Sequence, residues 1–96
     1  MAVGDVKNGL SVAVGAGSSM SIQPAGSDEY VIHNIHHADA VELYFTDGAN
    51  DIKISNDTSF GAWTGMFFHV TNSIYLKVKN VAAGAQNLGY DGIQTK

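Results

Sequence analysis

The sequence predicts an all-β fold: a small antiparallel β-sandwich of about eight strands, with a jelly roll among the arrangements that fit. Three observations predict it. Apolar and polar residues alternate with period two in short runs; Gly, Pro and Ser punctuate those runs; no window carries the i, i+3, i+4, i+7 stripe of a surface helix. The stretch 80–88 comes closest to helical, but Gly84 interrupts it and Val81 is β-branched, leaving room for a single turn. Without a helix to cover a sheet, two sheets must cover each other.

Taken in order, Leu10, Val12 and Val14 alternate with Ser11 and Ala13 until Gly15-Ala16-Gly17-Ser18 ends the run. Residues 10–14 therefore read as a half-buried strand, with 1–8 as an extended N-terminal arm of a single domain spanning 1–96. Met20 and Ile22 alternate with Ser19, Ser21 and Gln23 in a second strand, 19–23, closed by Pro24-Ala25-Gly26-Ser27. The third, 30–36, starts Tyr30-Val31-Ile32-His33 and is apolar on both parities, as expected of a strand covered on both faces or lying at a subunit contact. Strands 41–45 and 52–55 form a hairpin around Gly48-Ala49, a loop suited to a type II′ turn. That register sets Phe45 opposite Ile52 and Leu43 opposite Ile54 on one face. Tyr44 falls opposite Lys53, with Glu42 diagonal to it, on the other. A strand over 66–70 follows. A second hairpin is expected to pair 74–79 with 86–93 around 81–85, its outer face carrying Tyr75, Lys77 and Lys79.

Composition narrows function more by exclusion than by assignment. The 96 residues suffice for one core, and 45% hydrophobic against 15% charged residues excludes a disordered chain. With 0 Cys there is no disulfide framework, thiol nucleophile or zinc-finger spacing. The 5 basic residues, all Lys, against 9 acidic ones give a net charge of −4, poorly suited to gripping nucleic-acid phosphates. Met1 to Lys7 has no basic stretch leading into an apolar one, so no secretory leader is expected, and 10–16 is too short an apolar run to span a bilayer.

Candidate chemistry is sparse. Four histidines, His33, His36, His37 and His69, raise the question of a metal site. Strand parity sends His33 and His37 to one face and His36 to the other, so they read as half-exposed histidines at a strand edge or interface. Asp47, Asn50, Asp51, Asn56 and Asp57 make an acidic loop region. A twelve-residue calcium loop begun at Asp47, however, would place Ile52 where Gly is needed and Thr58 where a bidentate Glu is needed. Turn chemistry explains those residues better. Gly15-Ala16-Gly17-Ser18-Ser19-Met20 has Met20 in place of the third dinucleotide-loop glycine, and no helix pattern follows. Asn56-Asp57-Thr58 matches a glycosylation sequon, which matters only in a secreted chain. Asp28 and Glu29, adjacent in an exposed turn, would not converge as a catalytic pair. The expectation is a non-enzymatic protein with no cofactor.

Phe60, Trp63, Phe67 and Phe68 crowd into nine residues, and both parities of 66–70 are apolar. Such residues fill a core, anchor an interface, or stack on sugars. Phe and Met meet wet sugars poorly, so a subunit interface is the preferred functional reading, with Val31, His33, Ile35, Trp63, Phe67 and His69 as its candidate residues.

Three segments carry a resemblance: Ile22-Gln23-Pro24-Ala25-Gly26, Glu29-Tyr30-Val31-Ile32-His33-Asn34-Ile35, and Val41-Glu42-Leu43-Tyr44-Phe45-Thr46-Asp47-Gly48. With the ending Ile74-Tyr75-Leu76-Lys77-Val78-Lys79-Asn80 and Gly89-Tyr90-Asp91-Gly92-Ile93-Gln94-Thr95-Lys96, they resemble small virion proteins of tailed bacteriophages, of the head-decoration or cement type. The resemblance implies a β-sandwich displayed on the virion, a homotrimer bound to the major capsid protein, with no nucleic-acid or membrane partner. A different class of function, a small carbohydrate-binding or host-attachment module using Trp63 and the Tyr residues, is the alternative expectation.

Overall fold

Nine strands follow one another in the computed structural model, which describes residues 3–96. They are β1 (Val6–Val14), β2 (Ser19–Ile22), β3 (Glu29–His37), β4 (Val41–Thr46), β5 (Asp51–Asp57), β6 (Gly61–Trp63), β7 (Phe68–Thr71), β8 (Tyr75–Asn80) and β9 (Gln86–Gln94). One sheet has the order β1-β9-β3-β6, with β7 also on β3; the other runs β2-β8-β4-β5. Every pairing among them is antiparallel. Because β6 and β7 line the same side of β3, they act as one strand interrupted at 64–67. Counted so, the sheets read 1-8-3-6 and 2-7-4-5, the wound arrangement of a jelly roll. The β-sandwich expected from the period-two runs is the observed architecture.

Met20, Ile22, Ile32, Ile35, Val41, Leu43, Val70, Leu76, Val78 and Leu88 fill the space between the sheets. Most come from the inward parity of their strands and are buried by alternation, but Ile32 and Ile35, three apart in β3, cannot both be buried by alternation alone.

Two bulges alter the expected side-chain directions. In β3, Ile32 pairs with Gly92 and Asn34 with Asp91, so His33 is an extra residue without a cross-strand partner in β9. An extra residue reverses parity beyond it. Ile32 and Ile35, three apart, consequently both point inward and are fully buried. In the β4–β5 hairpin, Phe45 pairs with Ile52 and Tyr44 with Lys53 as expected, but Leu43 pairs with Ser55. Ile54 is the extra residue there, not the partner of Leu43. Gly48 takes the positive φ of 97° that its turn needs.

Three further expectations are corrected. Of the expected arm over 1–8, residues 1–2 lie outside the described residues, and 6–8 pair with Ile93, Gly92 and Asp91 at the start of β1. The expected β8–β9 hairpin does not form, because β8 pairs with β2 and β4 while β9 pairs with β1 and β3. Residues 81–85 carry the chain across the sandwich, so Val78 and Leu88 belong to facing sheets. A buried amide pair fixes this crossing. Asn80 donates to the carbonyls of Val14 at 2.8 Å and Gly84 at 2.9 Å, and accepts from the Ala82 amide at 2.9 Å and Gln86 Nε2 at 2.8 Å. Gln86 also donates to Ala40 O at 2.9 Å and accepts from the amides of Ala38 and Asp39.

Finally, β1 does not bury the apolar side of its alternation. Leu10 and Val12 are 71% and 69% exposed. The inward side of β1 carries Lys7 and Gly9 because aromatic rings from neighbouring strands occupy that space. A Cβ on Gly9 would lie 2.7 Å from Cε1 of Tyr90, and the Lys7 ammonium sits 5.3 Å from the centroid of the Tyr30 ring.

Candidate assembly surface

The two outer faces of the sandwich differ in kind. On the four-stranded sheet, Glu42, Tyr44, Lys53, Tyr75, Lys77 and Lys79 share the solvent side through the pairs Glu42–Lys79, Tyr44–Lys77 and Tyr44–Lys53. Charges there are matched locally. Lys53 reaches Glu42 at 3.1 Å, Lys77 reaches Asp51 at 2.5 Å, and the Lys77 ammonium lies 5.1 Å from the Tyr44 ring. The Tyr44 hydroxyl, donating to Glu42, together with Lys53 holds that carboxyl below the usual carboxylate range and pushes the phenol up. Lys77, then Thr46, do the same to Asp51. At the adjoining turn, Asp47 accepts from the amide and side chain of Asn50 and the amide of Ala49, which lower it to about 2. This face is a solvated one.

The outer face of the five-stranded sheet is built differently. Strand pairing sets three rows across it. Val6, Ile93, Val31 and His69 form one; Asn8, Asp91 and Asn34 form the next; Leu10, Gly89, His36 and Ala62 form the third. Asp91, the carboxylate in the middle row, accepts from Asn34 Nδ2 at 2.7 Å and lies 3.2 Å from His36 Nε2. Gly89 has no side chain to raise its row, so an open hollow lies between Leu10 and His36, beside Asn8 and Asp91. Val6 is 70% exposed at one margin, and Phe67, 75% exposed, stands beyond His69 at the other. The face thus combines exposed aliphatic and aromatic side chains with one hydrogen-bonded carboxylate.

The six residues singled out from sequence separate accordingly. Val31 and His69 are cross-strand neighbours on this outer face. His33, at the bulge, sets its half-exposed ring edge-on to Phe67, with centroids 5.7 Å apart. Ile35 is corrected to the core by the same bulge. Trp63 pairs with Ile35 and packs against the core, its ring 5.1 Å from that of His37. Missing from the sequence reading were Val6, Leu10 and Val12, whose alternation marked a face without saying which way it turned.

The histidines do not converge. The bulge turns His36 outward and His37 inward, the reverse of a shared His33–His37 face. His37 is buried, with Nε2 2.8 Å from Asp57 Oδ2 and Nδ1 3.0 Å from the Asp39 carbonyl oxygen, tying the end of β3 to β5. Among the described residues no three His, Asp or Glu side chains are arranged to hold a metal ion, and no helix is long and apolar enough to cross a membrane. No protein-family model and no curated protein sequence matches this chain.

Proposed function

We propose that this chain is a non-enzymatic virion structural protein of a tailed bacteriophage, a capsid decoration or cement protein that homo-oligomerises and binds the major capsid protein. The observation that carries the reading is the contrast between the outer faces: one is a network of matched charges, the other leaves Val6, Leu10, Val12 and Phe67 between 69% and 75% exposed. Apolar patches beyond a few hundred square ångströms are unusual on soluble monomers and mark contact surfaces. A rigid sandwich with one solvated face and one apolar face suits a protein that lies against other subunits. The resemblance of the segments from Ile22 onward to phage head-decoration proteins supplies the setting.

Co-sedimentation with purified expanded capsids tests it. The native chain is expected to pellet with capsids and Phe67→Asp to remain in the supernatant, because a charge without a partner is costly inside a contact. A native chain that stays soluble beside capsids would count against the proposal, and Trp63 fluorescence unaffected by sugars would count against the carbohydrate alternative.

A further inference from the structure

The sandwich has strand edges at β1, at β6 and β7, at β2 and at β5. Unpaired edges invite strand addition, and proteins blunt them with short strands, charges and bulges. Three of the edges are blunted in those ways. β2 and β7 have four residues each and β6 has three. β5 has seven, but exposes Asp51 and Lys53 and carries the bulge at Ile54. β1 differs, with nine residues from Val6 to Val14. Its one charged residue, Lys7, is 6% exposed and turned inward to the Tyr30 ring, so it does not guard the open side. The irregularity in its register falls between Ser11 and Val14 and leaves Val6 to Ser11 straight.

We infer that β1 is a docking edge for the β1 strand of a second copy, joined antiparallel about a two-fold axis through Asn8. This rests on the self-assembly reading above and specifies its contact. The argument is one of parity. The Gln94 amide donates to the Asp5 carbonyl at 2.9 Å, and at the far end the Ala13 amide turns to Asn87 Oδ1 on the same neighbour at 3.0 Å. Main-chain groups alternate in direction along an antiparallel strand, so Lys7, Gly9 and Ser11 face β9. Val6, Asn8 and Leu10 then present their N–H and C=O groups to the open side.

These same three residues carry side chains on the outer face. An axis through Asn8 sets Val6 of one copy opposite Leu10 of the other, Asn8 opposite Asn8, and Lys7 opposite Gly9. Both requirements of an antiparallel ladder are met at once: edge-facing groups meet edge-facing groups, and outward side chains meet outward side chains. Six main-chain hydrogen bonds close the contact. Apolar residues oppose apolar ones, the Lys7 side chain meets a position without one, and no like charges face each other. The bulge beyond Ser11 ends the pairing. Isologous pairing closes at two copies, a dimer where the sequence reading expected a trimer.

Analytical ultracentrifugation of the full chain and three variants tests the contact. Asn8→Pro removes an N–H that β9 does not use, and Pro is tolerated on an edge strand, so the fold should survive while self-association weakens on the order of 10- to 100-fold. Asn8→Lys and Asn8→Glu each place like charges on the axis and should each be monomeric, whereas an equimolar mixture of the two should recover the dimer. Circular dichroism and melting temperature checked alongside should stay near native. Amide exchange gives a residue-level readout: Lys7, Gly9 and Ser11 protected at all concentrations, Val6, Asn8 and Leu10 protected only in the dimer. An oligomer that persists in all three variants would overturn β1 pairing while leaving self-assembly standing. A native chain that is monomeric would overturn both.

Discussion

Replacing Asn80 by Ala should be the most damaging polar-to-Ala change in the core. The side chain is fully buried and makes four hydrogen bonds of 2.8 to 2.9 Å to Val14, Gly84, Ala82 and Gln86. A typical intramolecular hydrogen bond contributes about 0.5–1.5 kcal/mol net, and partners left unsatisfied in the interior cost more. Four such bonds imply a loss of about 4 kcal/mol, against a total stability of about 5–14 kcal/mol for a chain of this length. At 4–8 °C per kcal/mol for a small domain, the melting temperature should fall by roughly 15–30 °C. Lys53→Ala is the internal control, because its ion pair with Glu42 lies at the surface and should contribute under about 1 kcal/mol. Urea unfolding followed by circular dichroism measures both variants on one scale. If Asn80→Ala costs no more than Lys53→Ala, the amide pair is not what holds the β8–β9 crossing, and the account of that crossing is wrong.

Other consequences are more local. Gly92→Ala should cost ~3 kcal/mol or prevent folding, since its Cβ would lie 2.1 Å from the Val31 carbonyl oxygen and 2.9 Å from Ile32 Cα, both backbone atoms; soluble yield and melting temperature report it. Acid should weaken the β4–β5 hairpin. Asp47 is lowered to about 2, and Glu42 and Asp51 are lowered too, so the unfolded chain binds protons first. The stabilisation is complete above the ordinary carboxylate range near pH 4 and is lost as pH falls through the lowered values, which for Asp47 is about 2. Urea midpoints across that window should drop, and Asp47→Asn should flatten the decline. Zinc or nickel should leave the melting temperature unchanged, whereas a native site would add about 2.7 kcal/mol at a hundredfold excess over its dissociation constant.

Much of the sandwich was legible because burial follows strand parity. Met20 and Ile22, Leu43 and Phe45, and Leu76 and Val78 alternate with polar residues, and each set faces inward, with Phe45 partly buried. What escaped was whatever parity does not encode. His33 and Ile54 look like ordinary strand residues, yet as bulges they sent Ile35 into the core and displaced Leu43 from Ile54. Period two counts residues; it cannot show which one is skipped. The 81–85 connection was read as a hairpin loop because its length permits one, while the deciding interactions join Asn80 and Gln86 to Val14 and Ala40, far away in sequence. The outward turn of β1 was hidden for a related reason. Leu10 and Val12 alternate as a buried face would, but the rings of Tyr30 and Tyr90 had already taken the inner space. The outer face of the five-stranded sheet was therefore half legible: Val31 and His69 lie side by side on it, Val31 being buried at 7% exposure, whereas the outward turn of Leu10 and Val12 was not foreseen.

Sedimentation equilibrium of the native chain at micromolar concentration tests the central claim most directly, that the apolar face and edge of the five-stranded sheet are covered by other subunits. The account predicts a mass twice that of one chain, falling to a single chain in Asn8→Lys. A native protein that sediments as a clean monomer across that range would contradict it.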